Sequence, residues 1–172
     1  NAALAYTLPS FNFPSPSITD GTDHVRPATL RGLGPDQTLV LVNSRRRHSS
    51  ALVNLGGSVG RGSAAVDLNT IPTSAVGSVQ VLRDAASAPY GSAAIAGVID
   101  VQLREASEGA PLSATSGQYA PDNPLTPADR SALDGAPLHV VGSVRLPLVR
   151  YGFLTLSSGC LERYPTNRPS PA

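Results

Sequence analysis

The stretch that most constrains the fold of this chain covers residues 76–104, with the sequence VGSVQVLRDAASAPYGSAAIAGVIDVQLR. Val79 and its β-prone neighbours predict a short strand, and Asp84 is placed to cap the helical turn that the following small residues favour. Gly91 ends this turn, and the apolar residues 95–103 predict a second strand in the same sheet. The stretch holds no catalytic nucleophile, metal-ligand cluster or phosphate-binding loop, so its pattern constrains a fold and not a reaction.

The composition allows one ordinary domain, or one small domain with a fragment of another, in 172 residues. Aromatic residues make up only 5% of the chain, so the core must consist of Val, Leu, Ile and Ala and stays small. The net charge of +1 provides no general attraction for nucleic acid or anionic lipid, and no apolar run reaches the roughly 18 residues of a membrane helix. The single Cys160 excludes an intramolecular disulfide, and because the chain begins at Asn1 without any Met, we expect a segment of a longer protein.

The remainder of the chain is predicted to form short strands separated by loops. In chain order the predicted elements are a strand at residues 38–43, a turn at Asn43 and Ser44, an antiparallel return at 45–48, a glycine-rich loop at 52–62, a short helix with Pro72 in its first turn, and two short strands at 138–146 and 151–158. Residues 105–137 are rich in Ser, Ala, Pro, Gly and Asp, and we expect a linker or surface loop there.

The glycine-rich loop partly matches two known patterns, one catalytic and one nucleotide-binding. Residues 56–60 match G-x-S-x-G, the nucleophile elbow of hydrolases, with Ser58 as nucleophile and His139 downstream. The elbow needs a helix after the serine, which the following Arg-Gly-Ser sequence disfavours, so a plain glycine-rich loop is the stronger interpretation. The loop does not form a phosphate-binding P-loop, because Ser63 occupies the position that requires Lys.

Two clusters of polar residues are candidate binding sites. Asp20, Asp23 and His24 lie close enough in sequence to bind a divalent metal, but turn formation by the two aspartates explains them better. The run Arg45-Arg46-Arg47-His48 is the one basic run, and it lacks the aromatic neighbours that nucleic-acid binding favours. We expect a solvated hairpin end at this run, and we expect neither a metal nor a nucleic acid.

Several runs occur in the order and spacing of one protein family. They are PSFNFPSPSITDGTDHVRPATLRGLGPDQTLVLVNSRRRHSSALVN at residues 9–54, GRGS at 60–63, AAVDLNTIPTSAV at 64–76, the stretch from Val79 to Val101, and GFLTLSS farther along. Together they resemble the plug domain of TonB-dependent outer-membrane receptors, densely over the larger part of the chain. Ser44 stands where this family usually has Gly in a hairpin turn, so the turn is expected to be strained or different. Asp100 stands where the family usually has Asn.

The resemblance implies an α+β fold in two parts. Residues 1–104 would form a small mixed β-sheet plug domain with short helices, and residues 105–172 a linker and a few antiparallel strands of an incomplete transmembrane β-barrel. A 22-stranded barrel needs over roughly 200 strand residues, so we expect the chain to be a plug with the start of a barrel and not a pore.

The resemblance also implies a function and a set of functional residues. The chain would gate energy-coupled uptake of a siderophore, cobalamin, saccharide or similar substrate at the outer membrane, without enzymatic activity or a cofactor. Its partners would be the remainder of the barrel and TonB, acting through an N-terminal segment outside this sequence. Arg31 and Arg83 match plug arginines that pair with acidic residues of the barrel wall in this family. The residues expected to face the ligand or the barrel are Asp20, Asp23, His24, Arg45, Arg46, Arg47 and Arg61.

Two other interpretations remain open at this level. One is a small secreted serine hydrolase that uses Ser58, and the other is a decayed fragment without a present function.

Overall fold

The computed structural model describes residues 8–14, 24–55, 60–83, 87–104, 112–117, 136–148 and 152–164. The chain divides into two compact units. Unit 1 comprises Asn1–Ile71 and Val76–Arg104, and unit 2 comprises Pro72–Ala75 and Glu105–Ala172. Within the described ranges, no helix has both the length and the apolar character needed to cross a membrane.

Unit 1 contains two β-sheets. Its strands are β1 (Phe11–Asn12), β2 (Thr29–Leu30), β3 (Thr38–Val42), β4 (Arg45–Arg46), β5 (Val76–Leu82) and β6 (Gly97–Leu103). β1 and β2 form an antiparallel pair, and the other strands form a four-stranded sheet in the order β4-β3-β6-β5. β3 and β6 run parallel, whereas β4 and β5 are antiparallel to their neighbours, so the sheet is mixed. The strands predicted on either side of the 84–96 turn region are therefore confirmed as neighbours in one sheet.

β6 is the central strand of unit 1, and its first five residues are buried. A strand buried on both faces has a nearly continuous apolar sequence, which the run from Gly97 to Leu103 shows apart from Asp100 and the half-buried Gln102. Gly97 has a φ of +136°, and a Cβ there would lie 2.5 Å from the carbonyl oxygen of Leu82 and 3.0 Å from Cδ1 of Leu30. Only glycine allows these elements to approach so closely.

Two small apolar clusters cover the faces of this sheet. Because side chains alternate along a strand, Ile99 and Val101 lie on one face of β6 and Val98 on the other. The first cluster consists of Phe11, Ala28, Leu30, Ala96, Ile99 and Val101. The second consists of Leu39, Leu41, Ala94 and Val98. The core contains one aromatic residue, as the composition predicts.

Short helical turns lie between these strands in the described part of the chain. They are 3-10 turns at Pro35–Gln37, Leu68–Thr70, Thr73–Ala75 (assigned to unit 2) and Ser92–Ala94, and an α-helical turn, α1, at Ser87–Tyr90. The carboxylate of Asp67 caps the second of them by accepting a hydrogen bond from the Asn69 amide at 2.9 Å. The short helix predicted at Pro72 is the 3-10 turn that follows it. Asp84 lies outside the described residues, so its capping role stays a prediction.

Unit 2 contains a three-stranded antiparallel sheet in the order of the chain. Its strands are β7 (Leu112–Ser116), β8 (Pro137–Leu148) and β9 (Gly152–Arg163). β8 and β9 have 12 residues each and pair along their whole length, so both exceed the short strands predicted at 138–146 and 151–158. The prediction of a linker or loop throughout residues 105–137 is wrong at β7. Its small and polar residues carry a weak strand signal, and they form a strand because β8 offers hydrogen-bonding partners.

The side chains of β8 and β9 alternate between a mainly apolar and a mainly polar face. The mainly apolar face carries Leu138, Val140, Val144, Leu146, Leu154 and Leu156, together with Ser158, Cys160 and Glu162 toward the end of β9. The mainly polar face carries His139, Ser143, Arg145, Thr155 and Ser157, together with Val141, Phe153 and Leu161. On that face the guanidinium of Arg145 lies 3.9 Å from the centroid of the Phe153 ring.

Candidate functional site

Arg31 and Arg83 lie side by side on unit 1 although they are 52 residues apart in sequence. The Nη1 group of Arg31 donates a hydrogen bond to the backbone carbonyl of Arg83 at 2.9 Å, and both residues are exposed. The hydrogen bond therefore places the Arg31 guanidinium beside the backbone of Arg83.

The backbone around Arg31 explains its position. Arg31 directly follows β2 and has a φ of +58°, in the left-handed region that residues other than Gly rarely adopt. Its amide donates to the carbonyl of Ser10 at 2.9 Å, which extends the pairing of β1 with β2. The turn thus directs the Arg31 side chain toward Arg83 at the end of β5.

The hairpin that joins β3 to β4 is anchored on β6. Asn43 and Ser44 form its turn with φ values of +49° and +61°, as a primed two-residue turn requires. The amide of Asn43 donates to the Val101 carbonyl at 3.0 Å, and its Oδ1 accepts from the Leu103 amide at 2.8 Å. Of the two expectations, a strained turn or a different one, the structure fits the first: the turn keeps the primed geometry, and a serine is held in the left-handed region.

Asp100 is the residue that holds this serine. Its carboxylate is 7% exposed and accepts the Ser44 amide at 3.1 Å and the Ser44 hydroxyl at 3.0 Å. Nε2 of Gln102 donates a third hydrogen bond to it at 2.9 Å. Sequence reasoning named both residues without relating them, although one carboxylate inside an apolar run signals a buried polar contact.

The three consecutive arginines occupy different environments. Arg45 and Arg46 form β4 and are exposed, whereas Arg47 is half-buried and its amide donates to the Val40 carbonyl at 2.9 Å. Arg46 and Arg47 line a cavity of about 230 Å³, which Arg45 does not reach. The prediction of an antiparallel return is confirmed for the first two residues only.

The other predicted site residues are scattered or outside the described residues. His24 and Arg61 are exposed, and Asp20, Asp23 and Ser58 lie outside the described ranges. No group of three or more His, Cys, Asp and Glu side chains that could hold a metal occurs within the described part of the chain. Cys160 is an exposed free thiol on β9.

Comparison with known proteins identifies relatives of this chain. The family model described as "TonB-dependent Receptor Plug Domain" matches residues 1–98. The probable TonB-dependent siderophore receptor PirA of Acinetobacter baumannii is 35% identical over 94 residues, or 55% of this chain. The vitamin B12 transporter BtuB of Vibrio vulnificus is 32% identical over 128 residues, or 73% of this chain. None of these proteins is a hydrolase, so the comparisons give the Ser58 hypothesis no support.

The fold is shared with a solved receptor. A crystal structure of the ferric enterobactin receptor PfeA of Pseudomonas aeruginosa superimposes with a TM-score of 0.63 and 23% identity, covering 94% of this chain and 22% of that one. The chain spans 12% and 19% of the lengths of the PirA and BtuB relatives. The comparisons therefore concern a small portion of much longer proteins.

Proposed function

The chain belongs to the family of TonB-dependent receptor plug domains, and on this premise we propose that it forms the gate of an outer-membrane receptor for energy-coupled uptake. The family match over residues 1–98 carries the proposal. The matched segment ends within β6, an interior strand of the four-stranded sheet. The match therefore includes β1 to β5 completely and the start of β6. The proposed role is gating and not catalysis.

The paired arginines are the proposed latch between the plug and the barrel wall. A guanidinium binds a carboxylate through two parallel hydrogen bonds, and each hydrogen bond to a charged group contributes about 1.5–3 kcal/mol. Arg31 and Arg83 are both exposed, so acidic residues of a surrounding barrel wall can approach them. Such contacts hold a plug in place at rest, and water replaces them when the plug moves.

Unit 2 fits the first strands of that wall. A transmembrane β-strand needs about 9–11 residues, and β8 and β9 have 12 each. Their alternation of apolar and polar side chains suits a wall with lipid on one side and a polar lumen on the other. The remaining strands would come from outside this chain.

The proposed substrate is a small molecule of the kind that the relatives' names report, a siderophore or vitamin B12. TonB would act on a segment N-terminal to the plug. His24 and Arg61, together with Asp20 and Asp23, stay proposed as residues that face the ligand or the wall.

The experiment uses the full-length receptor that carries this chain, expressed in cells with and without TonB. Uptake of labelled iron siderophores and labelled vitamin B12 is measured for the parent, for the double variant Arg31→Gln/Arg83→Gln, and for Arg104→Gln as an exposed arginine control. We expect TonB-dependent uptake of one substrate, which the double variant lowers about tenfold while it increases sensitivity to large antibiotics. The control should match the parent. Uptake that does not depend on TonB, or no uptake of any substrate, would contradict the proposed function.

A further inference from the structure

A cavity of about 230 Å³ lies beside the start of β3. β4 pairs with Leu41 and Val42, and the Arg47 amide donates to the Val40 carbonyl, so Thr38 and Leu39 are the residues of β3 without a strand neighbour on that side. β3 and the 3-10 turn Pro35–Gln37 form one part of the cavity wall. Arg47 and Ser49, which follow β4, and Ala64 and Val66 contribute to the rest. All these residues belong to unit 1.

The lining of the cavity carries an excess of positive charge. Arg46 and Arg47 both line it, and within the described part of the chain neither guanidinium lies within salt-bridge distance of a carboxylate. Nη2 of Arg47 makes only a long hydrogen bond to the Thr70 hydroxyl, at 3.5 Å. Among the described lining residues, Asp36 is the acidic one. Its Oδ1 lies over Gly34, 2.5 Å from the position that a Cβ would take if residue 34 had a side chain.

A buried hydroxyl adds a second, independent feature. Thr38 lines the same cavity and is only 3% exposed. Its Oγ1 is buried and has no hydrogen-bond partner among the described residues. Buried hydroxyl groups in folded proteins nearly always have a partner, and rotation of the Thr38 side chain toward the cavity would let an acceptor bound there supply one.

We propose that this cavity binds a small free anion with carboxylate groups, held by Arg46 and Arg47 and by a hydrogen bond from the Thr38 hydroxyl. Carboxylate oxygens accept hydrogen bonds from all three donors, and guanidinium groups match their planar geometry. The volume of about 230 Å³ suits a dicarboxylate or tricarboxylate and is below the 300–1,000 Å³ typical of sites for larger ligands. The proposed site is therefore smaller than one for a whole siderophore chelate or vitamin B12, and we place it apart from the site of a transported substrate.

The test is an NMR titration of the arginine Nε–H groups in the 172-residue chain at constant ionic strength, with citrate, malonate and acetate as probes. We expect saturable shifts of Arg46 and Arg47 with citrate and malonate, weaker shifts with acetate, and none for Arg45. Arg46→Gln and Arg47→Gln should each weaken citrate binding at least about fivefold, whereas Arg45→Gln is the matched control and should not change it. Thr38→Val keeps the side-chain shape and should weaken binding about threefold.

Three outcomes would overturn the proposal. Shifts that are linear in citrate and equal for all three arginines would indicate screening by ions only. An equal loss of binding with Arg45→Gln would place the effect outside the cavity. Binding in the 172-residue chain that is absent from the full-length receptor would assign the carboxylate to the receptor's own wall and exclude a free ligand.

Discussion

The contact between Ser44 and Asp100 permits a quantitative prediction about the stability of unit 1. Ser44→Ala removes the hydroxyl that donates to Asp100 at 3.0 Å and leaves the backbone at a φ of +61°. A hydrogen bond to a charged group contributes about 1.5–3 kcal/mol, and exposure of Ser44 favours the lower end of this range. Ser44→Ala should therefore lower the free energy of unfolding by about 1.5 kcal/mol.

The same substitution should cost less when the carboxylate is replaced by an amide. In an Asp100→Asn background the hydrogen bond joins neutral groups, and its loss should cost about 0.5 kcal/mol. The double-mutant cycle thus predicts a coupling energy of about 1 kcal/mol. Ser44→Gly should cost about 1 kcal/mol less than Ser44→Ala, because glycine adopts the left-handed conformation without the penalty of other residues.

The assay is urea unfolding of the 172-residue chain, followed by circular dichroism with a check that the slope of the transition is unchanged. Ser78→Ala, at an exposed serine of β5, is the control and should be neutral. A coupling energy below about 0.3 kcal/mol, the usual limit of additivity, would refute the claim that Asp100 holds the turn.

Two further predictions concern the sheets of the two units. Gly97→Ala should lower the free energy of unfolding by about 3 kcal/mol or more, because its Cβ would lie 2.5 Å from the Leu82 carbonyl oxygen. In Gly32→Ala the new Cβ meets open space, so this variant should lower the free energy of unfolding by only about 1–2 kcal/mol. Equal urea midpoints for the two variants would contradict this. In the full-length receptor, Leu156→Arg on the apolar face of β9 should destabilise the membrane-inserted barrel by about 2–4 kcal/mol and prevent its assembly. Ser157→Arg on the polar face should assemble. Assembly is measured by heat-modifiable mobility in gels, and the opposite order of the two variants would contradict the assignment of the faces.

The main sheet of unit 1 could be predicted from its sequence because its strands carry strong local signals. The apolar runs at residues 38–43 and 95–103 combine β-branched residues with flanking glycines and polar turns, and both appear as neighbouring strands. β7 could not be predicted in this way. Its residues Leu112–Ser116 lack a bulky pattern, and only the hydrogen-bonding edge of β8 makes them a strand.

The candidate sites depend on long-range contacts that a single sequence does not reveal. Arg31 and Arg83 were predicted for the same role, but their direct hydrogen bond depends on a left-handed turn at Arg31. Ser44 and Asp100 are 56 residues apart, and their mutual contact arises from the parallel pairing of β3 with β6. The sequence does not mark Thr38 as a binding residue, because its role in the proposed anion site depends on the burial of its unpaired hydroxyl in the folded chain.

The central claim is that this chain closes a pore, and channel recording tests it most directly. The full-length receptor and a variant that lacks residues 1–104 are each inserted into planar bilayers, with the isolated 172-residue chain in a third chamber. We predict large, stable conductance for the deletion variant and almost none for the intact receptor or the isolated chain. Equal conductance with and without residues 1–104 would contradict the account.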